Sequence, residues 1–205
     1  MGNRSMFVGL DVHKETIDVS IAEGHRGGEV RHYGVIASDL EPLDKVVRAL
    51  GARDRELHFV YEAGPCGFGI YRQLTTRGEA CVVVSPSMVP KRSGDRVKTD
   101  RRDSQMLARL HRAGELHAIY VPNDADEAMR DLVRAREDAV VVGTQAKYRL
   151  KAFLLRQGRR YPGREGWTLP YRRWLTDLSF PTAPQHITLQ EYRDTIDETS
   201  DGSRG

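Results

Sequence analysis

The chain has little cysteine, no long apolar run and no pair of histidines at a spacing typical of metal ligands. Its 205 residues hold two cysteines, Cys66 and Cys81, so we expect neither a disulfide framework nor a zinc knuckle, and a reducing, cytoplasmic setting is predicted. No segment reaches the roughly 18 consecutive apolar residues of a membrane span, and no membrane partner is expected. The first residues lead directly into a strand-like run, without the pattern of a signal peptide.

The chain also lacks a large excess of either charge, since its formal net charge is +3. The charges are nevertheless unevenly distributed along the sequence. Residues 1–84 hold 10 Lys or Arg against 12 Asp or Glu, residues 85–173 hold 20 against 11, and residues 174–205 hold 2 against 6. A basic middle segment is typical of proteins that bind a polyanion. A solvated helical face is the alternative explanation, and charge alone does not separate the two.

Hydrophobic patterning predicts an α/β domain in residues 1–121. Three strand-like runs, MFVGLDV, ETIDVSIAE and EVRHYGVIA, are joined by short connections and predict an antiparallel meander. A helix from Leu40 to Leu50 follows, and then a buried strand ELHFVYE, a helix IYRQLTTRG and a strand ACVVVS. This alternation of strands and helices after the meander predicts a mixed sheet flanked by helices.

Residues 122–160 are predicted to form a long helical arm that resembles a coiled coil. Such a seam fits either a hairpin within the chain or a contact between two copies; we favour the second and expect a homo-oligomer. Residues 161–205 are predicted to hold one short helix, WTLPYRRWLTDLSF, and a disordered acidic tail. The predicted seam of the arm, with alternating spacings of four and three, consists of Ala128, Leu132, Ala135, Ala139, Val142, Ala146, Arg149 and Phe153.

Four carboxylates stand at the boundaries of predicted elements. Asp11 ends the first strand, Glu62 ends the strand ELHFVYE, and Asp100 and Asp103 lie one helical turn apart in KTDRRDS. If the two strands are parallel neighbours, both strand ends meet at one edge of the sheet, and the acidic pair can complete a shell. Carboxylate oxygens suit Mg²⁺, with Mn²⁺ as a substitute, and could support two-metal phosphoryl transfer. Each carboxylate taken singly is more often a turn former or a helix cap, so the prediction depends on their joint arrangement.

Basic residues surround these carboxylates. His13 and Lys14 follow Asp11 within reach of a phosphate, or else they form only a solvated turn. The glycines of GPCGFG are interpreted as a tight turn beside Glu62 rather than as a phosphate-binding loop. The predicted contacts to a nucleic-acid backbone are Lys14, Lys91, Arg92, Arg96, Lys98, Arg101 and Arg102.

Three motifs in order, GLDVHKETIDVSIAE, YEAGPCGFGIYRQL and KTDRRDSQMLARL, give the chain a specific resemblance to a known family over about residues 6–120. It resembles the N-terminal domain of the DEDD transposases of the insertion-sequence 110 group, which are related to the pilin-gene invertase and guided by a bridge RNA. The resemblance implies an RNase H-like fold of the RuvC type, DNA and a structured guide RNA as partners, and a magnesium site for DNA strand cleavage and transfer. The implied catalytic and metal-binding set is Asp11, Glu62, Asp100 and Asp103.

The resemblance stops before the family's second domain, which supplies a nucleophilic serine. Residues 163–205 do not match that domain, so we do not expect full recombination by this chain alone. Three alternatives therefore stay open: a non-catalytic fragment that binds nucleic acid, a stand-alone RNase H-like nuclease, and an actin-like phosphotransferase. The last is suggested only by GLDVHKET, which resembles a phosphate-binding hairpin of sugar kinases, and the other motifs of those enzymes are not apparent.

Overall fold

The computed structural model describes residues 5–25, 27–52, 55–90, 99–164 and 166–201, and it divides the chain into two compact units, Met1–Val121 and Pro122–Gly205. No helix within these described stretches is long and apolar enough to span a bilayer. The elements of the first unit are β1 Ser5–Val12, β2 Thr16–Glu23, β3 Val30–Ala37, α1 Leu40–Gly51, β4 Glu56–Glu62, α2 Gly69–Thr76, β5 Ala80–Val84 and α3 Asp100–Ala113.

The five strands form one mixed sheet in the order β3-β2-β1-β4-β5. The pairs β1–β2 and β2–β3 are antiparallel, whereas β1–β4 and β4–β5 are parallel. The first three strands follow one another as a meander because their connections are short, and the parallel pairs require the crossovers that α1 and α2 provide. This architecture confirms the predicted α/β class and places β1, with Asp11 near its end, at the centre of the sheet.

Helices cover both faces of the sheet because the strands present apolar side chains on both sides. On one face, Leu10 and Tyr61 pack in the same buried cluster as Leu43 of α1 and Leu74 of α2. On the other face, Val60 and Val84 share a cluster with Leu107 and Leu110 of α3. Because alternate residues of a strand point to opposite faces, the residues that follow Leu10 and Tyr61 lie on the α3 side of the sheet.

The second unit consists of three helices, α4 Asp124–Arg156, α5 Leu169–Asp177 and α6 Ala183–Asp201. Asn123 begins α4 in the manner of an N-cap, since its side chain accepts a hydrogen bond of 2.9 Å from the backbone N–H of Asp126. The core of this unit lies between the second half of α4 and the two shorter helices. Its fully or largely buried members are Ala146, Leu150, Phe153, Leu154, Tyr171, Leu175, Phe180, Leu189 and Ile196.

The expectation of a disordered acidic tail was wrong for the described part of residues 161–205, because Ala183–Asp201 forms α6. Its composition is polar, yet Leu189 and Ile196 lie seven residues apart on one face and are buried at 4% and 0% exposure. Helix α6 also packs closely against α4 because Gly143 has no side chain; a β-carbon at Gly143 would lie 3.2 Å from the β-carbon of Thr199. Tertiary packing of two apolar side chains thus orders a segment whose composition alone predicts disorder.

The predicted seam of the helical arm is only partly an interface within the chain. Ala146 and Phe153 pack in the core of the second unit, but Arg149 is exposed and Leu150 is buried in its place. The first half of α4 and the residues just after it are different, since Leu132 and Val142 are 63% and 47% exposed. The second half of the arm therefore uses α5 and α6 as its partners, and the first half presents its apolar residues to solvent.

Candidate metal centre

Parallel pairing of β1 and β4 brings two of the predicted carboxylates to the same edge of the sheet. Leu10 is the register partner of Tyr61, so Asp11 and Glu62 directly follow a paired position on neighbouring strands. Both residues are half-buried, and Asp11 keeps 19% of its side chain exposed. The hydrogen bonds of the central strands fix the backbone beneath each carboxylate, which is how a sheet positions a ligand without a flexible loop.

The start of α3 brings the other two carboxylates to this face. Thr99 has extended backbone angles and precedes the helix, and Asp100 and Asp103 occupy its first turn. Carboxylates are favourable there because the first N–H groups of a helix carry partial positive charge. Helix α3 comes very close to β1 because Gly9 has no side chain; a β-carbon at Gly9 would lie 2.6 Å from the backbone nitrogen of Ala108.

The closest group of potential metal ligands in the described part of the chain consists of Asp11, Asp100 and His13, whose ligand atoms all lie within 4.8 Å of one another. Nε2 of His13 is 3.2 Å from Oδ2 of Asp11 and 3.5 Å from Oδ1 of Asp100. Asp103 is near enough for its charge to affect Asp11. Glu62 lies at the neighbouring strand end and is not part of the group of three.

The electrostatics of this group favour a cation. Burial raises the pKa of Asp11 above its ordinary value, the neighbouring His13 lowers it, and the charges of Asp103 and Asp100 raise it again. The net effect is a raised pKa, which means that the folded protein disfavours the negative charge on Asp11 when no cation is nearby. The hard oxygen atoms and their mutual repulsion fit a divalent metal ion, which would relieve both the burial and the repulsion.

A buried polar network ties α3 to the sheet beside this group, and the sequence reasoning missed it. Asp18 is the register partner of Asp11, and Ser104 directly follows Asp103. The Ser104 hydroxyl donates a hydrogen bond of 2.8 Å to Oδ1 of Asp18 and lies 2.8 Å from the Ser20 hydroxyl. Only the alternation of ETIDVSIAE hinted at it, since it places both Asp18 and Ser20 opposite the apolar face.

His32 completes the surroundings of Asp18. Its Nε2 lies 2.9 Å from Oδ1 of Asp18, although the two groups do not form a hydrogen bond of good geometry. Asp18 is only 7% exposed and Ser20 and Ser104 are fully buried, so the network is largely shielded from solvent. It fixes the first turn of α3 relative to β2 and thereby the location of the acidic pair.

Three of the seven residues predicted to contact nucleic acid lie within the residues that the structure describes. Lys14 lies in the turn between β1 and β2, 92% exposed, with Nζ 3.3 Å from Oε1 of Glu15. Arg101 and Arg102 are exposed in the first turn of α3, beside the acidic pair. The other four predicted contacts, Lys91, Arg92, Arg96 and Lys98, lie outside the described residues.

A mixed five-stranded sheet with helices on both faces, and with carboxylates at two strand ends and at one helix start, defines an α/β domain of the RNase H-like class. The family model for DEDD transposases of the insertion-sequence 110 type, described as "Transposase", matches residues 8–157. The chain therefore belongs to this family of transposases, as its motifs predicted, and corresponds to the N-terminal part of its members.

Similar proteins support the same family. The "Putative transposase y4qE" of Sinorhizobium fredii is 45% identical over 193 residues, which cover 94% of this chain and 50% of that protein. The "Transposase for insertion sequence element IS1533" of Leptospira borgpetersenii is 31% identical over 191 residues, covering 92% of this chain and 55% of that protein. The chain thus spans about half the length of the relatives that it matches.

Proposed function

We propose that this chain is the metal-binding part of a recombinase that cleaves and transfers DNA strands during transposition. The carboxylates of Asp11, Glu62, Asp100 and Asp103 hold Mg²⁺, for which Mn²⁺ can substitute. The observation that carries this proposal is the convergence of Asp11 and Asp100 on one group of ligand atoms, with a raised pKa at Asp11. The family model and the relatives named as transposases support the same class of reaction.

The residues of the site have separate tasks in this proposal. Bound divalent cations would supply charge stabilisation at the phosphodiester and activate the attacking group. The strand-end carboxylates of Asp11 and Glu62 form the rigid side of the site. Asp100 and Asp103 close it from α3, so the site is complete only when α3 rests on the sheet. The exposed guanidinium groups of Arg101 and Arg102 contact the DNA backbone next to the site.

The partners follow from the same proposal. DNA is the substrate, a structured guide RNA selects the target, and further domains of the family's longer members complete the reaction. The first half of α4 joins two copies of the chain. A reducing, cytoplasmic setting agrees with Cys66 and Cys81, both of which are free thiols. Burial raises the pKa of Cys81 to about 12, so this thiol stays protonated and unreactive at neutral pH.

The first test is calorimetric titration of Mg²⁺ and Mn²⁺ into the wild-type chain and into Asp11→Asn, which keeps the shape of the side chain and removes its charge. We expect the wild type to bind and the variant to lose at least about tenfold in affinity, since charged ligands dominate binding of hard cations. Asp177→Asn is the matched control, because Asp177 is an exposed carboxylate at the end of α5 in the second unit, whereas every residue of the candidate centre belongs to the first unit. Equal affinity of wild type and Asp11→Asn would refute the proposed site.

A second function, binding of nucleic acid without chemistry, is favoured by the exposed basic side chains of Lys14, Arg101 and Arg102 beside the acidic group. A cleavage assay on branched DNA and on an RNA–DNA hybrid, with Mn²⁺ present, separates the possibilities. Salt-sensitive binding without cleavage would identify a binding part that needs the remaining domains. Metal-dependent cleavage that Asp11→Asn abolishes would instead support a nuclease activity of this chain alone.

A further inference from the structure

We propose that His13 is a nitrogen ligand of this metal centre, shared with Asp11 and Asp100, and that it shifts the preference of the site from Mg²⁺ towards a first-row transition metal. This inference rests on the proposed function, because it concerns the same site. From the sequence alone, His13 is expected to be either a contact to phosphate or part of a solvated turn. The structure instead places its imidazole between two carboxylates that come from different elements.

The location of His13 follows from the hairpin that joins β1 to β2. Its backbone N–H donates a hydrogen bond of 2.8 Å to the carbonyl oxygen of Thr16, which closes the turn. His13 directly follows Val12, the last residue of β1, and only two residues separate it from Thr16, the first residue of β2. The connection is therefore too short to be flexible. The backbone of His13 is thus held by the sheet, and its imidazole reaches Asp11 from the same hairpin.

The spacing of the three ligand atoms agrees with one coordination sphere. An octahedral cation with ligands at about 2.1 Å separates neighbouring ligand atoms by about 3.0 Å, the length of an edge of the octahedron. The imidazole Nε2 lies 3.2 Å from the Asp11 oxygen and 3.5 Å from the Asp100 oxygen. Both distances are slightly longer than such an edge, and the three ligand atoms all lie within 4.8 Å of one another.

The donor set determines which cations this arrangement favours. Carboxylate oxygens suit Mg²⁺ and Mn²⁺, whereas an imidazole nitrogen adds affinity for transition metals in the order Mn²⁺, Fe²⁺, Co²⁺, Ni²⁺. Half of the His13 side chain and 61% of the Asp100 side chain are exposed, so a cation can enter from solvent. A site with one nitrogen among its oxygens should therefore discriminate against Mg²⁺ more strongly than an all-carboxylate site does.

Calorimetric titration of Co²⁺ and Mg²⁺ into the 205-residue chain, into His13→Ala and into His13→Asn tests the proposal. In both variants we expect Co²⁺ affinity to fall by about tenfold or more and Mg²⁺ affinity to change much less, because only the nitrogen donor is lost. His25→Ala is the matched control, since His25 is another exposed histidine beside a carboxylate, 3.8 Å from Glu23. Circular dichroism melts of every variant establish that each is folded.

Pulsed electron paramagnetic resonance of the chain loaded with Mn²⁺ detects directly whether a nitrogen atom coordinates the metal ion. The wild type should show nitrogen modulation that changes on ¹⁵N-histidine labelling and disappears in His13→Ala, and His25→Ala should keep it. Wild-type Mn²⁺ without nitrogen modulation, or an unchanged ratio of Co²⁺ to Mg²⁺ affinity in the His13 variants, would overturn the inference. In that case, affinity that still depends on Asp11 would leave the proposed function standing, whereas wild type without bound metal would overturn both.

Discussion

Asp11 and Asp18 show how the same residue type acquires different roles at neighbouring positions. They are register partners on β1 and β2, on the face that α3 covers. Asp18 is almost fully buried and its Oδ1 accepts a hydrogen bond from Ser104, so its lone pairs are engaged within the protein. Asp11 is partly open to solvent and faces His13 and Asp100, and burial raises its pKa. Asp18 therefore holds α3 against the sheet, and Asp11 is left to serve in the proposed metal site.

The half-buried His111 should make the stability of the protein depend on pH. Burial, and to a smaller extent the charge of His58, lower the pKa of His111 from 6.5 to about 4. Between these values the unfolded chain binds a proton that the folded protein resists, so stability should fall as the pH is lowered from about 6.5 to 4. In His111→Gln this loss should be smaller by about 1 kcal/mol, after a discount for the exposed part of the ring.

Urea unfolding of wild type and His111→Gln at pH 7 and pH 5 measures this difference. His117→Gln provides the control, because it removes a histidine from the same unit outside α3. Parallel losses of stability in wild type and His111→Gln over this pH range would show that His111 does not contribute.

Helix α3 is the element that assembles the candidate site, since it carries Asp100 and Asp103 to the sheet. Its approach to β1 depends on Gly9, because no β-carbon fits between the strand and the backbone of Ala108. Its rotation depends on Ser104, which is bonded to Asp18 and lies against Ser20. A small residue beneath the helix and a hydroxyl on its inner face together locate the acidic pair.

Gly9→Ala tests this role of α3. The new methyl group would push the helix away from β1, and overpacking of this kind costs about 1–3 kcal/mol of unfolding free energy. Because the acidic pair moves with the helix, we also expect weaker binding of Mn²⁺ in a calorimetric titration. Gly69→Ala is the matched control, since a β-carbon at Gly69 has no atom within 4 Å. If Gly9→Ala kept the stability and the metal affinity of the wild type, close packing of α3 would not be required.

At the scale of the whole molecule, the chain consists of two units with separate cores, and each serves a different part of the proposed function. The first unit carries every residue of the candidate metal centre. In the second unit, α5 and α6 cover only the second half of α4. The first half leaves Met129 60%, Leu132 63% and Val133 47% exposed, which is a large apolar content for a solvent-facing helix.

Leu132→Glu is expected to weaken self-association if this half of α4 joins two copies of the chain. A charge in the middle of an apolar helix contact is buried without a partner, so the dimer should dissociate at concentrations about tenfold higher than for wild type, or more. Sedimentation velocity over a range of concentrations provides the measurement. Ile187→Glu, at a residue of α6 that is 60% exposed, is the control. Identical association of wild type and Leu132→Glu would exclude this half of the helix as the contact.

The sequence alone determined much of the local structure and the class of the protein. The short apolar run MFVGLDV and the alternation of ETIDVSIAE predicted β1 and β2, and the helical period from Leu40 to Leu50 predicted α1, because burial leaves a signal in residues that are close in sequence. The order of three motifs predicted the family. The roles of the four carboxylates stay predictions, although each was correctly expected at an element boundary.

The tertiary structure decided what depends on contacts between distant parts of the chain. The imidazole of His13 lies beside both Asp11 and Asp100 because the turn after β1 and the start of α3 meet in space. His13 and Asp100 are 87 positions apart in the sequence. Asp18 paired with Ser104 for the same reason, and α6 became ordered because α4 offers an apolar face to Leu189 and Ile196. Residue patterns record which face of an element is buried, but the partner that buries it is set by packing across the whole fold.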